Sequence, residues 1–106
     1  MDLAAVVREA DAAAQAAGRD YFRTKMGGRD GDCCGFAWVE VRPTSPAQRA
    51  ALEAGGFKPS NGTKMTRTFD HGCVTQGLSC KEAANEVAAA VLRQAGLRAQ
   101  MRSMLD

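Results

Sequence analysis

Gly35-Phe36-Ala37-Trp38-Val39-Glu40-Val41-Arg42 is the stretch on which the fold turns. Aromatic and β-branched residues dominate it and Pro43 closes it, so it reads as a β-strand over 35–42. Strand alternation puts Ala37, Val39 and Val41 on one face, which suits contact with helices. Phe36, Trp38, Glu40 and Arg42 fall on the other face, where two aromatics beside two charges mark a half-covered sheet surface.

Downstream of this strand, Ser45-Pro46-Ala47-Gln48 opens a short helix: serine caps, proline takes the first helical position and glutamine reaches back. Leu52 is its main apolar anchor and Gly55-Gly56 stop it. Residues 57–69 read as strand again, with Asn61-Gly62 as a hairpin turn and Pro59 confining the first arm to an edge. After a loop over 70–78, Ser79-Cys80-Lys81-Glu82 is a second capping box. It starts a helix whose buried face is Ala83, Ala84, Val87, Ala88, Val91 and Leu92, ending at Gly96. Leu97, Ala99 and Met101 then alternate with Arg98, Gln100 and Arg102 in a last strand over 97–105.

Upstream, residues 2–17 carry Leu3, Val6, Val7, Ala10, Ala13, Ala14 and Ala17 at helical spacing, with Asp2 as cap and Gly18 as the stop. Residues 18–34 form a long glycine-rich connection attached to the core through Tyr21, Phe22 and Met26. The predicted order is α-β-α-β-α-β in a single domain over 1–106. The fold class is α+β: a three- or four-stranded, mainly antiparallel sheet with helices packed on one face.

With 106 residues, 45% apolar and 25% charged, the chain can bury one modest core, and wholesale disorder is excluded. The formal charge is +2, lower than nucleic-acid binders often show, and mildly segregated: residues 1–20 sum to −2 (Arg8 and Arg19 against Asp2, Glu9, Asp11 and Asp20) and the remainder to +4. Met1-Asp2-Leu3 lacks a basic leader, and the apolar run from Val87 to Leu92 is far short of the roughly 20 residues of a membrane span. A cytoplasmic protein with no membrane association is therefore expected, with its thiols reduced.

Cys33, Cys34, Cys73, Cys80 and the single histidine, His71, are five soft ligands, but the gaps between neighbours (none for Cys33-Cys34, one residue for His71 and Cys73) are poor for zinc. The positions alone leave open whether these side chains meet. Cys80 at a helix start, with His71 near in sequence, suggests a nucleophile, yet no orienting partner or oxyanion hole is marked. Asp30-Gly31-Asp32 begins like a calcium loop without the later acids. The expectation is no enzyme activity, no catalytic residue, no metal and no cofactor. Phe36, Trp38, Arg42, Arg98 and Arg102 are instead the residue types that anchor interfaces, and are the expected partner contacts.

Cys34-Gly35-Phe36-Ala37-Trp38-Val39 resembles the Cys-Gly-Phe-Ala-Trp-Val strand of a family of small bacteriophage and prophage proteins. In that family a short helix ending in Gly-Phe, a glycine-rich strand, an alanine-rich helix and a Gly-(Ile or Leu)-x-Ala strand follow. Here Gly55-Gly56-Phe57, Gly62, the helix from Ser79 and Gly96-Leu97-Arg98-Ala99 correspond, so the likeness covers residues 33–106. The chain departs in Met65-Thr66-Arg67, which replaces a tryptophan-containing run, and in Arg102, displaced from the family's terminal Ser-Arg-x-Asp. Only Cys34 matches the family's cysteine, which speaks further against a four-cysteine metal site. The resemblance implies a phage- or mobile-element-encoded protein of the host cytosol that binds and inhibits a host protein or defence complex, with anti-CRISPR or other anti-defence action as its sharpest form. A nucleic-acid-binding accessory protein is the alternative, and a small zinc-binding protein a further one.

Overall fold

The computed structural model of the chain describes residues 2–28, 33–73 and 77–105. Among them the elements are α1 (Leu3–Thr24), β1 (Gly35–Arg42), α2 (Pro46–Ala54), β2 (Lys58–Pro59), β3 (Met65–Arg67), α3 (Leu78–Gln94) and β4 (Arg98–Leu105). The strands form one antiparallel sheet in the order β2-β3-β1-β4. β3 thus lies between the two strands of β1-α2-β2, and β1 between the two strands of β3-α3-β4. These interleaved units make the split β-α-β, or ferredoxin-like, plan, with α1 added in front. The α+β class and the antiparallel sheet agree with the sequence analysis.

β1 is the spine of the sheet. It pairs with β4 along its whole length, from Gly35 opposite Leu105 to Arg42 opposite Arg98, and with β3 over Val39 to Val41. Ala37, Val39 and Val41 are buried against the helices, as their alternation requires. Val39 and Val41 join Met65, Phe57, Phe69, Leu52, Ala84, Ala88, Leu92 and Ala99 in one core, where Phe57 and Phe69 meet edge to face at 6.0 Å. α3 lies across β1 and β4, and α1 packs chiefly on α3.

Local signals account for much of this. Ser45 accepts from the Gln48 N–H at 3.1 Å, and the Gln48 side chain accepts from the Thr44 N–H at 2.9 Å, a capping box that reaches one residue further back than usual. The 57–69 segment is a hairpin closed by Ser60 to Lys64, with Gly62 at φ +63°, and Pro59 sits on the edge strand β2.

Two expectations are corrected. α1 does not stop at Gly18 but continues to Thr24, so the long 18–34 loop gives up residues 18–24 to helix. Gly18 is there for a different reason: a Cβ on it would lie 2.7 Å from the His71 carbonyl carbon, 2.8 Å from its Cα and closer still to its oxygen. The 70–73 segment crosses α1 backbone to backbone at that point. The second correction concerns α3, which starts at Leu78 with Gly77 as its cap residue and no side-chain cap bond from it. The Leu78 N–H donates to the Cys33 carbonyl at 2.7 Å, so the segment leading into β1 meets the first N–H of the helix. Asp30-Gly31-Asp32 lies outside the described residues.

Asn85 is fully buried on α3 and holds the segment after β3. It accepts from the Phe69 N–H at 2.8 Å and donates to the carbonyls of Phe69 and Lys81 at 3.2 and 2.9 Å. Arg67, on the helix side of β3, pairs with Asp11 of α1, donates to the Gly55 carbonyl and covers the Phe69 ring at 4.3 Å.

Candidate functional site

The helices cover one face of the sheet and leave the other open. Directly opposed residues of antiparallel strands share a face, so the β1–β4 register sets Trp38 beside Arg102, Glu40 beside Gln100 and Arg42 beside Arg98. Four of the five expected contacts, Trp38, Arg42, Arg98 and Arg102, therefore stand together on the open face. Trp38 is half-buried and the three arginines are exposed.

Phe36 stands apart. Its register partner is Met104, but β3 ends at Arg67, opposite Val39, and leaves a gap beside the start of β1. Phe36, 53% exposed, borders that gap with Thr68, Phe69, Asp70 and His71. Lys81 Nζ lies 5.6 Å from its ring centroid and donates to the Gly35 carbonyl at 2.7 Å.

Glu40 occupies the middle of the open face yet is only 8% exposed. Lys64 and Arg102 each approach it at 3.8 Å and the Gln100 amide donates to it at 3.3 Å. A carboxylate so enclosed needs those partners, because a buried unpaired charge is expensive. Lys64 comes from the hairpin, and Lys58 of β2, opposite Thr66, faces the same way. Sequence reasoning missed both, although the alternation of Lys64, Met65 and Thr66 carried the signal. The face thus gathers Arg42, Lys58, Lys64, Arg98 and Arg102 against Glu40, a local charge of +4 in a chain of net +2.

Arg42 and Arg98 are the least compensated pair. They stand directly opposite one another, and neither guanidinium makes a hydrogen bond or ion pair among the described residues. Like charges in that position are destabilising. Both border an open depression of about 260 Å³, into which Glu40, Gln100 and Arg93 also reach; Arg93 is held by Glu86 at 2.9 Å. Two free guanidinium forks over a hollow suit a carboxylate or phosphate, which Arg binds through paired N–H donors.

The soft side chains divide into two groups. Cys33 and Cys34 are exposed and border the start of α3 through backbone contacts. His71, Cys73 and Cys80 converge beneath α1: His71 Nδ1 is 3.1 Å from Cys73 Sγ, which is 3.5 Å from Cys80 Sγ. The thiol against His71 is thus Cys73, whereas the sequence offered Cys80 as the candidate nucleophile and left open whether these side chains meet. Cys80 is fully buried and donates to the Gly18 carbonyl at 3.0 Å. Among the described residues no group of three or more His, Cys, Asp or Glu side chains is arranged to hold a metal ion.

No known protein family, curated protein or solved structure matches this chain. No helix among the described residues is long and apolar enough to cross a membrane.

Proposed function

We propose that this chain is a non-enzymatic binding protein whose open sheet face docks on an acidic surface of a host protein and inhibits it by occupation. The observation that carries the reading is the uncompensated Arg42–Arg98 pair beside Trp38 and Arg102. A sequence that keeps two like charges opposite one another accepts a local conflict, and such conflicts concentrate at functional sites. An incoming carboxylate resolves it, while Trp38 supplies an aromatic anchor next to the charges. The phage origin, the host-cytosol location and the anti-defence target, anti-CRISPR action included, rest on the resemblance of residues 33–106 to small phage proteins.

A second reading has its own support. Basic side chains around a half-buried tryptophan on an open sheet also suit a single-stranded nucleic acid, with phosphates on the arginines and a base against Trp38.

One experiment separates the two. The tagged chain captures partners from nuclease-treated bacterial lysate, in parallel with Arg42→Glu, Arg98→Glu and Trp38→Ala variants. A labelled single-stranded oligonucleotide is titrated against the same set. A stoichiometric host protein that the charge-reversed variants release supports inhibition by docking. Oligonucleotide binding that weakens steeply with salt, through release of condensed counterions, together with an empty capture, replaces it with the second reading.

A further inference from the structure

We propose that Cys73 and Cys80 are a peroxide-reactive thiol pair, with His71 as the base that takes the Cys73 proton. It is a stoichiometric modification site, separate from the docking face. Geometry distributes three roles over three residues.

His71 has a defined acceptor. The Cys73 backbone N–H donates to His71 Nδ1 at 3.2 Å, so the neutral ring carries its proton on Nε2. The Cys73 thiol, 3.1 Å from the same nitrogen, shares that single lone pair, so transfer of its hydrogen to Nδ1 displaces the backbone N–H. The imidazole also borders the gap below β1, an open hollow of about 220 Å³ lined by Phe36, Asp70 and Lys81.

The two thiols differ in access. Cys73 is partly buried, and Cys80 is fully buried with its S–H on the Gly18 carbonyl. An oxidant therefore meets Cys73 first. Cys80 Sγ waits 3.5 Å away, and a disulfide of about 2.05 Å requires an approach of about 1.5 Å. Cys73 lies outside the helices and strands, and rotation of its side chain supplies that approach while Cys80 stays fixed in α3.

The substrate class is a hydroperoxide. His71 accepts the Cys73 proton as the sulfur attacks the terminal oxygen of ROOH. The O–O bond breaks, Cys73 becomes a sulfenic acid, and the departing alkoxide takes the proton back from His71 to leave as ROH. Cys80 sulfur then attacks the Cys73 sulfur, and hydroxide leaves with the Cys80 proton as water. Two thiols are oxidised to one disulfide while the peroxide is reduced to alcohol and water.

The test uses the reduced full chain and one equivalent of hydrogen peroxide, followed by alkylation and peptide mapping without reductant. The expected product is a Cys73–Cys80 crosslink with Cys33 and Cys34 still alkylated. Cys80→Ser should leave a Cys73 sulfenic acid that dimedone traps. His71→Ala, checked for folding by circular dichroism, should slow loss of the Cys73 thiol by about a hundredfold, the lower end of what a positioned base contributes. Oxidation of Cys33 or Cys34 with Cys73 and Cys80 intact, over-oxidation of wild-type Cys73 without a crosslink, or one zinc per purified chain would each overturn the proposal.

Discussion

Replacing Gly18 by alanine should destabilise this protein, against the ordinary helix rule. Gly18 lies inside a helix that ends at Thr24, and alanine is the better helix former by about 1 kcal/mol. The added methyl, however, would come within 2.7–2.8 Å of the His71 carbonyl carbon and Cα, all backbone atoms that no rotamer change can move aside. Either α1 or the 70–73 segment must yield, which strains the Cys80 bond to the Gly18 carbonyl as well. Overpacking of this kind is at the upper end of about 1–3 kcal/mol, so the net loss after the propensity gain is about 2 kcal/mol. For a domain of this size that lowers the melting temperature by about 8–16 °C. Thermal unfolding followed by far-ultraviolet circular dichroism reads it. The exposed Ala16→Gly change on the same helix is the control, with a fall of roughly 2–8 °C from propensity alone. A Gly18→Ala protein as stable as the parent, or more so, would refute the backbone-contact argument.

Three further outcomes are expected. Arg42→Glu turns the like-charged cross-strand pair with Arg98 into an opposite one, so it should stabilise the chain by about 0.5 kcal/mol in urea unfolding while abolishing partner binding. A simultaneous loss of stability would show that the pair is not in conflict. Asn85→Leu removes the partners of both Phe69 backbone groups and should destabilise by about 2–4 kcal/mol, seen as a lowered urea midpoint. Ser45→Ala should reduce stability by about 1 kcal/mol through loss of the α2 cap, and an unchanged urea midpoint would count against that role.

The contrast between these positions shows what a sequence can disclose. β1 and the α2 cap were legible because their causes are local: alternation over neighbouring residues, and a serine three positions before its glutamine. The grouping of Trp38, Arg42, Arg98 and Arg102 was legible too, since it follows from alternation on two strands that pair. Gly18 was misread because glycine has two uses, ending a helix and admitting a close neighbour. The neighbour, His71, is more than 50 residues away in the chain. The start of α3 was misplaced for the same kind of reason, as its first N–H is met by Cys33, 45 residues earlier in the chain. Glu40 was visible as a charge on the open face, but its enclosure needs Lys64 from the hairpin and Gln100 from β4, and only the folded sheet assembles them. Cys73 and His71 were dismissed on ligand spacing, which says nothing about a thiol and its base.

The two borders of the sheet are unequal, and this limits how copies of the chain can associate. β2 is two residues long and contains Pro59, which has no N–H to offer a neighbour. β4 is eight residues long and forms the opposite border, with Met104 and Leu105 exposed near its end. Strand addition is thus open on one side only. If two copies joined there, each would present its short proline-bearing border outward, and growth would end at a closed pair. The same arrangement that leaves one long strand unpartnered therefore denies the molecule a route to fibres.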